Sequence, residues 1–160
     1  MTGGNLWQAS CQEHVEPMAL PVQASVDLLV IGGGFTGCAA ALAAATAGAR
    51  VLLIEAQEVG HGGSGRNVGL VNAGLWLPPD QVEAALGQEA GQRLNAALGA
   101  GPGQVFELIN RYGIACEAVQ NGTLHCAHAP SGMADLQARF AQQQRRAAPV
   151  QIYDAHRAQQ

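Results

Sequence analysis

The chain has 160 residues, 48% of them hydrophobic and only 4% aromatic, with a formal net charge of −4. That length is one domain's worth of sequence with enough apolar content for a core, which excludes extended disorder. The mildly acidic balance and sparse aromatic residues argue against phosphate-backbone binding and base stacking, so nucleic acid is not an expected partner.

Cys11, Cys38, Cys116 and Cys126 show no C-x-x-C spacing. A disulfide framework is therefore not expected, and a reducing cytoplasm is the default setting. The opening "MTGGNLWQASCQEHVEP" lacks a basic region followed by an apolar stretch, so no signal peptide is read there. The smoothest apolar run, Gly37 to Ala49, is only thirteen residues long, too short for a transmembrane helix.

In chain order, residues 1–24 read as an irregular arm with Pro17 and Pro21, anchored by Trp7. Val26–Ile31 fits a buried parallel strand interrupted by Asp27. The alanine-rich stretch Thr36–Ala47 reads as a helix, with Gly48 where a C-terminal glycine stop belongs. Arg50–Ile54 is a second apolar strand, ended by Glu55. Strand, helix and strand within thirty residues make one right-handed βαβ unit with parallel strands, so the fold class is α/β. In domain terms, residues 25–78 hold this unit and a glycine-rich loop, and residues 79–160 form a helical segment.

Within that segment, Asp80 with Glu83 three residues on has the form of a capping box. Leu94 and Leu98 continue a helical period until "GAGPG", Gly99–Gly103, which is expected to break or kink it. Val105, Leu108 and Ile109 restart the helix and Gly113 ends it. Ala115–Val119 and Thr123–Ala127, separated by Asn121-Gly122, read as a small β-hairpin. Ser131 is a cap for a last helix whose apolar face is Met133, Leu136 and Phe140. A strand at Val150–Tyr153 and a cap at Asp154 follow.

The chemistry concentrates at "GGGFTG". Gly32, Gly34 and Gly37 satisfy G-x-G-x-x-G, with Gly33, Phe35 and Thr36 between them. Gly32 permits the tight turn out of the strand, Gly34 lets a pyrophosphate approach the backbone, and Gly37 lets the helix sit close to the sheet. Phosphates would lie at the helix start, on exposed N–H groups and the positive dipole end. Eighteen residues after Gly37, Glu55 stands at a strand end, where a carboxylate accepts hydrogen bonds from an adenosine ribose. The residues thus point to a dinucleotide; the glycine pattern and Glu55 serve FAD or NAD, while the carboxylate would repel a ribose 2′-phosphate.

The next stretch, "GHGGSGRNVGLVNAG" at Gly60–Gly74, separates the two. It resembles the G-x-x-x-S-G-R-N-x-G loop of the FAD-dependent amine and amino-acid oxidases of the D-amino-acid-oxidase family. The likeness runs from about Leu6 to the end of the chain and is strongest at Val30–Leu75. It implies Gly32, Gly33, Gly34 and Thr36 at the pyrophosphate, and Glu55 and Ala56 at the adenosine. It also implies Ser64, Gly65, Arg66 and Asn67 along the middle of FAD, with Gly69 and Leu70 near the flavin. Ser64 and Arg66 bring hydrogen-bond donors, and the glycines allow inward-facing amides. Some family members link flavin through a histidine near the position held here by Arg66, so FAD is expected to be non-covalent, with His61 a polar loop residue.

The resemblance further implies hydride transfer from the CH–NH group of a small-molecule amine or amino acid, such as L-pipecolate or γ-glutamylputrescine, giving an imine that water hydrolyses. Family members are more than twice this long and complete their cofactor sheet after a substrate domain. The chain is accordingly expected to be an N-terminal portion without catalytic residues of its own. A non-catalytic nucleotide-binding fragment and an NAD-binding module are the alternatives.

Other groups are weaker candidates. His125 and His128 of "HCAH" would fall on opposite faces of a strand, and Cys126 with His128 makes only two ligands, so no metal is expected. Cys38 is read as a small packing residue. Arg139, Arg145 and Arg146 are read as a solvated face near a helix end.

Overall fold

The computed structural model describes residues 5–11, 13, 15, 16, 18–21 and 23–159. Pro17 lies outside them. The chain divides into two compact units, residues 1–70 and 71–160.

The first unit is built on the βαβ segment. Strand β1 spans Leu28–Ile31 and β2 spans Val51–Ile54, paired in parallel from Leu28↔Val51 to Ile31↔Ile54. Between them, the helix Phe35–Thr46 ends at Ala47, and Gly48 takes φ +89° as the expected glycine stop. Both strands are shorter than the apolar runs suggested. Asp27 accounts for the start of β1: its carboxylate pairs with the Arg50 guanidinium at 2.9 Å and accepts the Arg50 N–H at 2.9 Å, closing the ladder's end with polar groups. The arm is not wholly irregular. Leu6–Ser10 forms a one-turn helix, α1, making the βαβ helix α2. Asn5 Oδ1 accepts the Gln8 N–H at 2.9 Å and Gln8 Oε1 accepts the Asn5 N–H at 3.1 Å, a true capping box.

The second unit holds α3 (Pro79–Leu86), α4 (Gln88–Tyr112) and α5 (Pro130–Arg145). Val82 of α3, 3% exposed, is the buried hydrophobic residue of the described core. Met133, Leu136 and Phe140 are half-buried, the face expected for α5. A short 3-10 turn at Arg157–Gln159 is capped by Asp154, whose Oδ1 accepts the Arg157 N–H at 2.8 Å.

Four sequence expectations for this unit are corrected. First, α4 runs through "GAGPG" without a break. Pro102 removes the amide that would serve the Leu98 carbonyl four residues earlier, and the Gly74 N–H reaches that oxygen instead at 3.3 Å. Second, Asp80 and Glu83 do not form a capping box. Pro78 is the N-cap of α3, and the two acids turn to α5: Arg146 bonds Asp80 at 2.7 Å and Glu83 at 2.6 Å, and Arg145 bonds Asp80 at 2.7 Å. Arg145 and Arg146 are therefore ion-paired, and Arg139 pairs with Asp135 at 2.7 Å, so these arginines are not merely solvated. Third, Ser131 lies inside α5, whose N-cap is Ala129. Fourth, neither the hairpin at 115–127 nor the strand at 150–153 forms. Val119 and Leu124 are exposed, so a hairpin there would have no packed face, and two isolated strands are marginal in water. The opposite-face argument for His125 and His128 falls with that strand; His125 instead lies beside Trp76, ring centres 6.1 Å apart.

Two glycines of the second unit differ in what surrounds them. A Cβ on Gly91 would stand 2.5 Å from Glu83 Cα, whereas one on Gly99 meets nothing within 4 Å. Gly91→Ala is expected to destabilise the unit by about 1–3 kcal/mol through overpacking at backbone. Gly99→Ala should stabilise it by about 0.4–1 kcal/mol by restricting the unfolded chain. Urea denaturation followed by circular dichroism checks both signs. The Asp80 carboxyl is held below its ordinary range first by the Arg146 hydrogen bond. Its stabilising contribution is present above the ordinary carboxylate range and is lost as pH falls through the lowered value; Asp80→Asn should flatten that acid limb.

Candidate functional site

The site grows from the level ends of two strands. Because Ile31 pairs with Ile54, the residues just past them meet. Gly32 takes φ +104°, a left-handed turn that glycine adopts without strain, and its N–H extends the ladder to the Ile54 carbonyl at 2.8 Å. The Gly33 N–H then donates to Glu55 Oε2 at 2.7 Å, and the Gln57 N–H to Oε1 at 3.1 Å. These two amides, Gly33 first, hold the Glu55 carboxyl below its ordinary range. The residue proposed to receive a ribose also ties the glycine turn to β2.

Helix α2 starts without a capping side chain of its own, because its N-cap is Gly34. Its first N–H, on Phe35, donates to Ser64 Oγ at 3.0 Å. Ser64 stands in a 3-10 turn, Gly63–Arg66, and the loop carrying it is drawn in by two backbone bonds. The Gly60 N–H donates to the Gly33 carbonyl and the Gly65 N–H to the Gly60 carbonyl, each at 2.8 Å. Added side chains would run into backbone at two of these positions and crowd the Ser64 hydroxyl at a third. A Cβ would stand 2.9 Å from Ser64 Oγ at Gly34, 1.9 Å from the Gly32 carbonyl at Gly37, and 2.2 Å from the Gly60 carbonyl at Gly65.

The result is an open cleft of about 280 Å³ at the start of α2. Gly33, Gly34, Phe35, Ser64 and Gly65, all singled out by sequence, line it. Gly32 and Gly37 lie outside its lining, with the Gly32 carbonyl close against Gly37, and Glu55 bonds to the lining residue Gly33. Thr36, Ala56, Arg66, Asn67, Gly69 and Leu70 are exposed and continue outward rather than lining the cleft. Sequence reasoning missed Val59, Gly60 and the cleft-facing position of Cys38. Gly60 was signalled as the first glycine of the loop motif; Val59 carries no signal beyond being its neighbour.

This geometry suits an elongated ligand with a central anion. A helix start and its dipole favour an anion, and glycines leave room for one beside the backbone. Among the described residues, no three His, Cys, Asp or Glu side chains gather as a metal site, and no helix is long and apolar enough to cross a membrane.

Gly37→Ala is expected to destabilise the first unit by about 2 kcal/mol or more, because its clash is with backbone. Gly33→Ala meets contacts no closer than 3.4 Å and should leave stability nearly unchanged. Chemical denaturation of the two variants, side by side, checks this contrast.

Among proteins of known name, γ-glutamylputrescine oxidoreductase of Escherichia coli K12 is 32% identical over 111 residues, covering 69% of this chain and 26% of that protein. The probable oxidoreductase OrdL of Rhizobium meliloti is 38% identical over 92 residues, covering 58% of this chain and 22% of that protein. The alpha-glycerophosphate oxidase of Streptococcus pneumoniae serotype 4 is 49% identical over 51 residues, 32% of this chain and 8% of that protein. The chain thus spans about a quarter of the length of the first two relatives. No solved structure matches it to significance. Residues 27–160 match the family described as FAD dependent oxidoreductase, and the chain belongs to that DAO family.

Proposed function

We propose that the chain is the FAD-holding portion of an oxidoreductase acting on the CH–NH group of an amine or amino acid, of the class that includes γ-glutamylputrescine and L-pipecolate. The observation that supports the cofactor half is the convergence of Gly34, the start of α2 and Ser64 on one cleft, with Glu55 bonded to the lining residue Gly33. The likeness to a γ-glutamylputrescine oxidoreductase supports the substrate class.

In this reading Gly32, Gly33, Gly34, Phe35, Thr36 and Gly37 hold the pyrophosphate through backbone amides and close approach. Glu55 keeps its bonds to Gly33 and Gln57 and offers remaining lone pairs to the ribose hydroxyls, with Ala56 beside the adenosine. Ser64 keeps its lone pair on the Phe35 N–H and turns its hydroxyl hydrogen toward a phosphate oxygen. Gly65, Arg66, Asn67, Gly69 and Leu70 carry the ligand onward to its flavin end, where the Arg66 guanidinium offers positive charge to an electron-rich ring edge. Bound FAD supplies the hydride acceptor. It is held non-covalently in this reading, since Arg66 stands near the position where some family members carry a linking histidine, with His61 a polar loop residue. The proposal includes a reducing cytoplasmic setting, in which the four thiols stay free.

A second reading, a nucleotide-binding module without catalysis of its own, is favoured by the cleft's lining of glycines, Phe35, Cys38, Val59 and Ser64, which carries no carboxylate or imidazole. The purified chain should release FAD, not NAD or NADP, on denaturation, and recovery of a nicotinamide cofactor alone would sink the proposal. Glu55→Gln should weaken FAD binding by about 1.5–3 kcal/mol for each charge-assisted bond lost. Gly34→Val, which adds a side chain against Ser64 and the pyrophosphate, should be more severe. Equilibrium dialysis with FAD ranks them. The 160-residue chain alone is expected to form no imine or peroxide from L-pipecolate or γ-glutamylputrescine, because turnover needs a donor carbon clamped in near-attack geometry.

A further inference from the structure

Helix α1 lies outside the family match, which begins at residue 27. A five-residue helix is not stable by itself in water, so its order must come from what it touches. The Asn5–Gln8 capping box closes its first turn, and Trp7 is its long-range contact. The Trp7 indole Nε1–H donates to the backbone carbonyl of Asn67, sixty residues further along the chain. The same ring lies over Gly69, where an added Cβ would stand 3.3 Å from Trp7 Cζ2. Asn67 in turn folds its own segment, its Oδ1 accepting the Gly69 N–H at 2.8 Å, while Gly69 takes φ +83°. Asn67–Gly69 is therefore held from inside by an Asn turn and from outside by an indole.

We propose that Trp7 is a positioning residue that straps Asn67–Leu70 into the path followed by the flavin end of the cofactor. The inference rests on the FAD reading above and adds a residue that the glycine and loop motifs do not contain. Two separate contacts of Trp7 define it. The indole N–H fixes the direction of the Asn67 carbonyl, and the ring surface fixes how far Gly69 can rise. A larger residue at Gly69 would displace the ring, and loss of the ring would release the segment. Coupling of this kind is reciprocal: a ligand that orders Asn67–Leu70 also tightens the docking of α1.

The test uses the full 160-residue chain as wild type, Trp7→Phe and Trp7→Ala, each checked for native circular dichroism. Amide exchange at Gly69 without ligand should quicken in Trp7→Ala, with Trp7→Phe between, since phenylalanine keeps a ring and loses the donor. FAD and ADP are then titrated in parallel. Trp7→Phe should bind FAD roughly two- to tenfold more weakly, the range for one lost hydrogen bond. Trp7→Ala should be weaker still, and ADP, which has no flavin end, should bind all three chains alike. Equal weakening of ADP and FAD would make Trp7 a general structural residue and overturn the proposal. So would unchanged Gly69 exchange in Trp7→Ala. A wild type that binds NAD and not FAD would defeat the FAD reading instead, and Gly69 exchange would then decide the strap by itself.

Discussion

One carboxylate joins the ends of the two strands, and the site is assembled outward from it. Parallel pairing brings Ile31 and Ile54 level, so Gly33 and Glu55 emerge side by side. Glu55 takes the Gly33 amide, which fixes the turn; the turn aims the start of α2 into the cleft and presents the Gly33 carbonyl to Gly60. That contact draws in the loop carrying Ser64, whose hydroxyl completes the helix start. Each contact depends on the one before it, and each is a hydrogen bond to backbone. Such an arrangement needs little apolar burial. That is consistent with β1, where Leu29 and Ile31 are largely exposed.

The βαβ unit was legible because its determinants are local. Two apolar runs, an alanine helix and a glycine at each turn fix the elements within thirty residues, and the spacing from Gly37 to Glu55 follows from the crossover itself. What could not be read depends on partners far away in sequence. Asp80 and Glu83 have the local form of a capping box, yet Arg145 and Arg146, more than sixty residues on, displace the backbone amides as partners for their oxygens. Pro102 looked like a stop because the amide that replaces its missing donor belongs to Gly74. The Asn121-Gly122 dipeptide suggested a hairpin at 115–127, but a two-stranded hairpin persists only where another face covers it. Trp7 was legible as an anchor; its target, the Asn67 carbonyl, was not.

Each unit is stabilised internally by its own means. In the first, backbone amides and carboxylate or hydroxyl oxygens organise loops around a short sheet. In the second, α3 and α4 approach closely enough at Gly91 to exclude a side chain, Val82 fills the small core, and paired charges fasten α5 to α3. Salt should therefore act unequally, screening the exposed Arg145–Asp80 pair in the second unit more than the shorter-range contacts of the glycine turn.

The steric exclusion at Gly37 and Gly65 also bears on how such a sequence can change over time. Every codon change that replaces glycine adds at least a Cβ, and at these two positions that atom would fall 1.9 Å and 2.2 Å from a backbone oxygen. Neither oxygen can swing aside as a side chain would. Mutational drift away from glycine is therefore blocked there before any ligand is considered, even in a descendant that has abandoned its cofactor. Gly33, whose nearest neighbours are at 3.4 Å, has no such barrier and is free to vary once binding is no longer selected. In a lineage that has lost the nucleotide, the glycine pattern would erode unevenly, with Gly33 going first and Gly37 and Gly65 persisting as a fossil of the packing.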